Sequence, residues 1–99
     1  MKYIKKYVDK IDEELKGAKE YAEEYVMWRA KNNSTMASQY KEMCFDELKH
    51  ANYIHDAAVA AIDELNTVFT PPQEMQEVWD KSHKEYVEKV AWIKQMLNM

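Results

Sequence analysis

The residue of greatest chemical interest in this sequence is Glu47, a carboxylate in the middle of an otherwise apolar stripe. At about 100° per residue, Met43, Glu47 and Ile54 fall on one face of a predicted helix. Burying a charge costs several kcal/mol unless the charge is paired, protonated or bound to a metal. We therefore expect Glu47 to have a partner.

A histidine one helical turn further on is the nearest such partner. His50 follows Glu47 by three residues, and a Glu-x-x-His pair on an inward face supplies a carboxylate and an imidazole to one metal ion. The spacing alone is weak evidence in a chain rich in glutamate, and the position on the stripe strengthens it. Asp46, four residues before His50, offers the alternative of a solvated surface pair.

Three helices must position these residues, because only the polar segments 31–35 and 66–72 interrupt the apolar periodicity. We predict helices near 2–31, 35–66 and 72–97, and a capping box of Thr70, Pro71 and Gln73 at the start of the third. With one glycine and two prolines in 99 residues, the short connections make neighbouring helices antiparallel. The predicted fold is all-α: a single elongated helical domain, 1–99, of three long antiparallel helices.

The position of the first turn decides which residues of the first two helices lie level. A turn near Asn33 brings Glu20 opposite Glu47, and Gly17 and Ala18 opposite His50. Glycine inside a helix costs about 1 kcal/mol relative to alanine. A close approach of the two helices is therefore a reason for Gly17.

The Glu47-Leu-Lys-His50 motif follows an acidic first helix, whose glutamates include Glu20, Glu23 and Glu24. In this arrangement residues 14–62 resemble the ferritin-like superfamily, particularly its short rubrerythrin-type and encapsulated-ferritin-type hairpins. The resemblance implies a lone Glu from one helix, Glu-x-x-His from the next, and iron or manganese as the metal. It also implies a homodimer in which Glu47 and His50 of each chain face a two-fold axis.

The candidate ligands fall into two ranks. Glu47, His50 and Glu20 form the first, although Glu20 points away from the centre of its own apolar stripe. The second rank lies at the margins of the stripes or in the third helix: Glu23, Glu14, His83, Asp80 and His55. A ferritin-like bundle that has lost its metals is the alternative, because neither the first nor the third helix supplies a central ligand. His55 and His83 could also meet as a structural or pH-sensitive pair.

Large aromatic side chains outside the apolar stripes predict an oligomer, a dimer or higher. They are Trp28, Phe45, Tyr53 and Trp92. These residues support a second hypothesis of a different class: a non-catalytic helical interaction module, of the phage or mobile-element accessory or inhibitor type, that binds itself or a protein partner.

Composition restricts the remaining functions. The net charge of −4 disfavours nucleic-acid binding. The longest apolar run, 57–62, is far too short to span a membrane, and the start lacks the apolar stretch of a secretory signal. The single cysteine, Cys44, agrees with a reducing compartment and reads as a small buried hydrophobe. We expect a cytoplasmic protein, and the absence of a glycine-rich phosphate loop or a His-Glu-x-x-His motif argues against a nucleotide-binding or hydrolytic enzyme.

Overall fold

Three α-helices make up the computed structural model, which describes residues 2–68, 70 and 72–98. They are α1 (Lys2–Ala30), α2 (Ser34–Val68) and α3 (Gln73–Leu97). The all-α prediction is confirmed, and each predicted boundary lies within two residues of the observed one. The helices run side by side in a bundle of 55 × 18 × 17 Å. None of the helices in the described part of the chain is long and apolar enough to cross a membrane.

Two asparagines reverse the chain between α1 and α2. Asn32 adopts a left-handed conformation, with φ 59°, and its backbone N–H donates to the Arg29 carbonyl at 3.0 Å. The N–H of Asn33 donates to the Trp28 carbonyl at 3.0 Å, which completes a Schellman motif. The Asn33 side chain then accepts from the Met36 N–H at 3.0 Å, so it caps α2 as well. One short segment therefore ends one helix and starts the next.

This tight turn corrects the predicted alignment of α1 and α2. Ala18 lies opposite Cys44, whose thiol donates to the Ala18 carbonyl at 3.2 Å, and Gly17 lies opposite Glu47. The prediction that Glu20 faces Glu47, with Gly17 and Ala18 facing His50, is therefore wrong by about one helical turn. The reversal is centred on Lys31 and Asn32, earlier than Asn33. Moving the centre of the turn by one residue changes by two the α2 residue that lies opposite a given residue of α1.

The core uses α1 as its central element, because the α1 backbone packs closely on both other helices while α2 and α3 approach each other at almost no point. The α1–α2 contact is built from small residues that are fully buried: Ala18, Ala22, Cys44 and Ala51. Larger buried side chains fill the rest of the core, among them Ile4, Ile11, Leu15, Trp79, Ile93 and Leu97. Burial of this apolar surface is the main term that stabilises the bundle.

The start of α3 differs from its prediction. Pro72 is the N-cap residue, and its carbonyl accepts from the N–H groups of Met75 and Gln76 at 3.0 and 3.2 Å. The Gln73 side chain donates forward to Glu77 at 3.0 Å. The predicted capping box is therefore not formed, because α3 begins two residues later than the box requires; Pro71 lies outside the described residues.

Candidate metal centre

Three side chains with metal-binding atoms converge on one side of the α1–α2 pair. His50 Nδ1 lies 3.8 Å from Glu14 Oε2 and 4.0 Å from Glu47 Oε1. One potential ligand atom from each of the three residues lies within 4.8 Å of the other two. Glu14 comes from α1, whereas Glu47 and His50 come from consecutive turns of α2. We call these three residues the carboxylate cluster.

Gly17 is what lets the Glu47 carboxylate lie against α1. A Cβ atom at this position would be only 3.1 Å from Glu47 Oε2 and 3.5 Å from its Cδ. The close approach predicted for Gly17 is thus present, and it accommodates a side chain of α2. Glycine at this position costs α1 about 1 kcal/mol relative to alanine, and in return it makes room for the Glu47 carboxylate of the cluster.

The Glu47 carboxyl group holds its proton more tightly than an isolated glutamate does. A hydrogen bond with Glu14, partial burial and the nearby Glu14 charge raise the pKa of Glu47 to about 6, against the lowering effect of His50. Glu14 and Glu47 are mostly buried, with side-chain exposures of 17% and 25%, while His50 is 54% exposed. A cation that replaced the Glu47 proton would relieve the repulsion between the two carboxylates.

Two clefts lie along the α1–α2 pair, one toward each end of the bundle from the level of the cluster. One cleft is lined by Lys6, Tyr7, Lys10, Tyr53, Ile54 and Ala57. The other cleft is lined by Glu20, Tyr21, Glu23, Glu24 and Tyr40. Every residue that lines these two clefts belongs to α1 or α2. We refer to the two clefts together as the α1–α2 groove.

The structure brings together only some of the predicted ligands. Glu20 and Glu23 line the cleft nearer the turn and are absent from the cluster, the only group of three or more potential ligands among the described residues. Glu14, ranked below Glu20 from the sequence, occupies the place expected of Glu20. Asp80 accepts a hydrogen bond from Gln76 at 2.9 Å and is likewise outside the cluster.

The signal that could have identified Glu14 is its spacing from Gly17, three residues further along the same helix face. The competing interpretation of His50 as a surface partner of Asp46 is not supported, because the described chain contains no ion pair between them. The carboxylates nearest to His50 are instead those of Glu14 and Glu47.

Two histidines meet on the other side of α2, as the sequence suggested. The rings of His55 and His83 have centroids 5.1 Å apart, and both contact Trp79 and Tyr86. The Tyr86 hydroxyl donates to Asn52 Oδ1 at 3.3 Å. These side chains join α2 to α3 across the gap between their backbones, and we call this group the aromatic cluster.

Cys44 has the environment of a packing residue. It is fully buried, and burial, followed by the nearby Glu47 charge, raises the pKa of its thiol to about 11. Because the thiolate is the nucleophile and the metal ligand, a thiol held protonated in this way is inert.

The off-stripe aromatic residues are spread around the bundle, and one of them is not exposed. Trp28 lies outside the apolar stripe of α1, as predicted, yet its ring packs against the core and its Nε1 donates to Glu24 Oε2 at 3.2 Å. Phe45, Tyr53 and Trp92 are exposed by 46%, 62% and 58%. Tyr53 lines the α1–α2 groove, Trp92 lines a cleft between α1 and α3, and Phe45 lines a cleft between α2 and α3. They do not form a single face.

Comparison with known proteins adds no further constraint. No protein family, curated protein or solved structure gives a significant match to this chain. The functional argument therefore depends on the geometry of the clusters themselves.

Proposed function

We propose that this protein is a small ferritin-like metal-binding protein in which Glu14, Glu47 and His50 bind a divalent metal ion, iron or manganese. The observation that carries the proposal is the convergence of two carboxylates and one imidazole from adjacent helices, with ligand atoms within 4.8 Å. The glycine opposite Glu47 supports it, because a residue that weakens α1 creates the space for a ligand.

The donor set fits the proposed metals. Carboxylate oxygens suit hard divalent ions such as Mn²⁺, and imidazole extends the range to iron and zinc. His50, at 54% exposure, provides access from solvent, and the partly buried carboxylates provide negative charge. An iron ion bound here would supply Lewis acidity and one-electron redox chemistry, while the protein residues hold its position and neutralise its charge.

A homodimer through the α1–α2 groove forms the second part of the proposal. Three ligands from one chain leave coordination positions open, and a second copy related by a two-fold axis would bring an identical set to the same place. Tyr53 supplies exposed apolar surface within this groove. Without metal, the four facing carboxylates would repel one another, so we expect metal binding and dimerisation to be linked.

The test is metal content and mass of the untagged protein, measured by elemental analysis and multi-angle light scattering. The matched pair of variants is Glu47→Gln and Glu20→Gln, since both remove one carboxylate and only Glu47 belongs to the cluster. We expect near-stoichiometric iron or manganese and a dimeric mass in the wild type and in Glu20→Gln. Glu47→Gln should lose both. Equal metal content in the two variants would refute the assignment of the cluster.

A second candidate function, a helical interaction module, is favoured by the three exposed aromatic side chains. It predicts metal-free protein even after incubation with Fe²⁺ under anaerobic conditions or with Mn²⁺. Under this hypothesis association is unchanged by Glu47→Gln and abolished by replacing Tyr53, Phe45 or Trp92 with alanine. The same two measurements therefore separate the candidates.

A further inference from the structure

The α2–α3 contact contains a buried nitrogen with no partner. His55 Nε2 is inaccessible to solvent, and none of the described residues forms a hydrogen bond with it. On the other side of the ring, His55 Nδ1 lies 3.3 Å from Asp56 Oδ1. A carboxylate oxygen can only accept, so the tautomer that satisfies this contact donates from Nδ1 and leaves the lone pair on Nε2. A buried polar atom in this state calls for an explanation, because most such atoms are paired.

The neighbours of His55 show which group could pair with Nε2. The Tyr86 ring stacks on the imidazole at 4.8 Å and 11°, and the Trp79 ring lies at 5.6 Å, so these faces of His55 are covered by carbon. The His83 ring, at 5.1 Å, is the neighbour that carries a second nitrogen lone pair. His83 is exposed to solvent, so its side chain can swing aside to admit an ion to the buried His55 Nε2.

From these contacts we propose that His55 and His83 form a bis-imidazole site for a borderline divalent cation such as Ni²⁺, Cu²⁺ or Zn²⁺, which ties α2 to α3. Asp56 supports it in the manner of an outer carboxylate that fixes the tautomer of a metal-bound histidine. This site is independent of the carboxylate cluster, and its nitrogen donors select later transition metals than carboxylates do.

The separation of the rings agrees with this assignment. A metal–nitrogen bond of about 2.1 Å puts each ring centre about 3.2 Å from the ion, so that two imidazoles at adjacent positions lie about 4.6 to 5.3 Å apart. The observed 5.1 Å falls within this interval.

Binding of an ion at this site would stabilise the fold, since the backbones of α2 and α3 hardly touch. An ion held by one residue of each helix adds a link where the fold has the fewest close contacts. A ligand that binds only the folded state raises its stability. Saturation with Ni²⁺ should therefore raise the Tm by several degrees.

The experiment uses the His50→Gln protein, in which His55 and His83 are the only histidines left of three. Ni²⁺ binding is measured by titration calorimetry. At each Ni²⁺ concentration the Tm is measured by thermal unfolding and the mass by light scattering. We expect one ion per chain, an unchanged mass and a raised Tm. Adding His83→Gln should weaken binding about tenfold or more, because the second ligand no longer acts intramolecularly, and should abolish the rise in Tm.

Three outcomes would overturn the proposal: no Ni²⁺ binding by His50→Gln, equal binding after His83→Gln, or binding accompanied by dimerisation, which would indicate histidines shared between chains. His55→Phe, which keeps a ring stacked on Tyr86, is the second variant and should also lose binding. Failure here leaves the carboxylate cluster untouched, because that cluster is tested by Glu47→Gln and by iron or manganese content.

Discussion

The contact of α2 with α1 and its contact with α3 differ in the size of the residues between the helices and in the distance between the backbones. Toward α1 the buried residues are small, so the backbones come close and short carboxylate side chains from both helices can meet. Toward α3 the residues are the large rings of His55, Trp79 and Tyr86, which hold the backbones apart. The separation of two helices thus determines which chemistry can be assembled between them.

The strongest test of this contrast removes a ring from the wide contact. Trp79→Ala should lower the free energy of unfolding by about 3 to 4 kcal/mol, since a nearly buried tryptophan is lost and the contact has no close backbone packing to replace it. The measurement is urea denaturation followed by circular dichroism. The matched control is Trp92→Ala: this side chain is 58% exposed, and its loss should cost no more than about 0.5 kcal/mol. Similar costs for the two variants would mean that the aromatic cluster does not hold α3.

The converse test enlarges a residue at the close contact. Ala18→Leu should destabilise the protein by about 2 kcal/mol, because the added methyl groups have no space beside Cys44 and must force the helices apart. The same substitution at exposed Ala60 serves as the control and should be nearly neutral. A fully stable Ala18→Leu protein would show that the α1–α2 contact is not closely packed.

The carboxylate cluster makes a pH-dependent contribution to the stability of the metal-free protein. The pKa of Glu47 is about 6 in the folded state, above the ordinary value of 4.5, so the folded state holds the proton more tightly. This stabilisation is complete below pH 4.5 and is lost as the pH rises through 6. After screening at a partly exposed site it amounts to about 1 kcal/mol.

Glu47→Gln cannot ionise and should therefore escape this loss. Relative to wild type, the variant should gain about 1 kcal/mol between pH 4.5 and pH 7.5, as measured by the urea midpoint at each pH. Glu20→Gln, at an exposed site on the same helix pair, should show no such change. If the Glu47→Gln curve ran parallel to the wild-type curve, the pKa of Glu47 would not be raised in the folded protein.

The smallest effect is expected at Gly17, where stability and metal binding should change in opposite directions. Gly17→Ala gains helix propensity, and the obstacle is the end of the flexible Glu47 side chain, at 3.1 Å from the new Cβ. We expect a net gain of about 0.5 kcal/mol, with weaker iron or manganese binding because Glu47 has been displaced. The exposed Ser38→Ala change should gain similar stability without affecting metal. A destabilised Gly17→Ala protein would mean that Glu47 cannot move aside.

Periodicity was sufficient to predict the three helices, since long amphipathic segments separated by polar breaks leave few alternatives. It also predicted that Glu47 and His50 act together and that His55 and His83 meet. What periodicity did not determine was the alignment of α1 with α2. That alignment depends on the left-handed Asn32 and the doubly used Asn33, and a small shift there exchanges Glu20 for Glu14.

The exposed aromatic residues show a second limit of the sequence. The angular position of Trp28 on α1 is far from the centre of the stripe, yet its length lets the ring reach the core while Nε1 bonds to Glu24. The angle of a residue on one helix also says nothing about which neighbouring helix lies beside it. For that reason the sequence alone could not show that Phe45, Tyr53 and Trp92 line three separate clefts.

The elongation of the bundle affects how the subunits must be counted. Its radius of gyration is 16.1 Å, whereas a compact domain of this length has about 13 Å. A rod experiences more friction than a sphere of equal mass, so on a gel-filtration column calibrated with globular standards a single chain elutes ahead of its true mass. An early peak is therefore what one chain alone would give, and only methods that weigh the particle independently of shape report its stoichiometry.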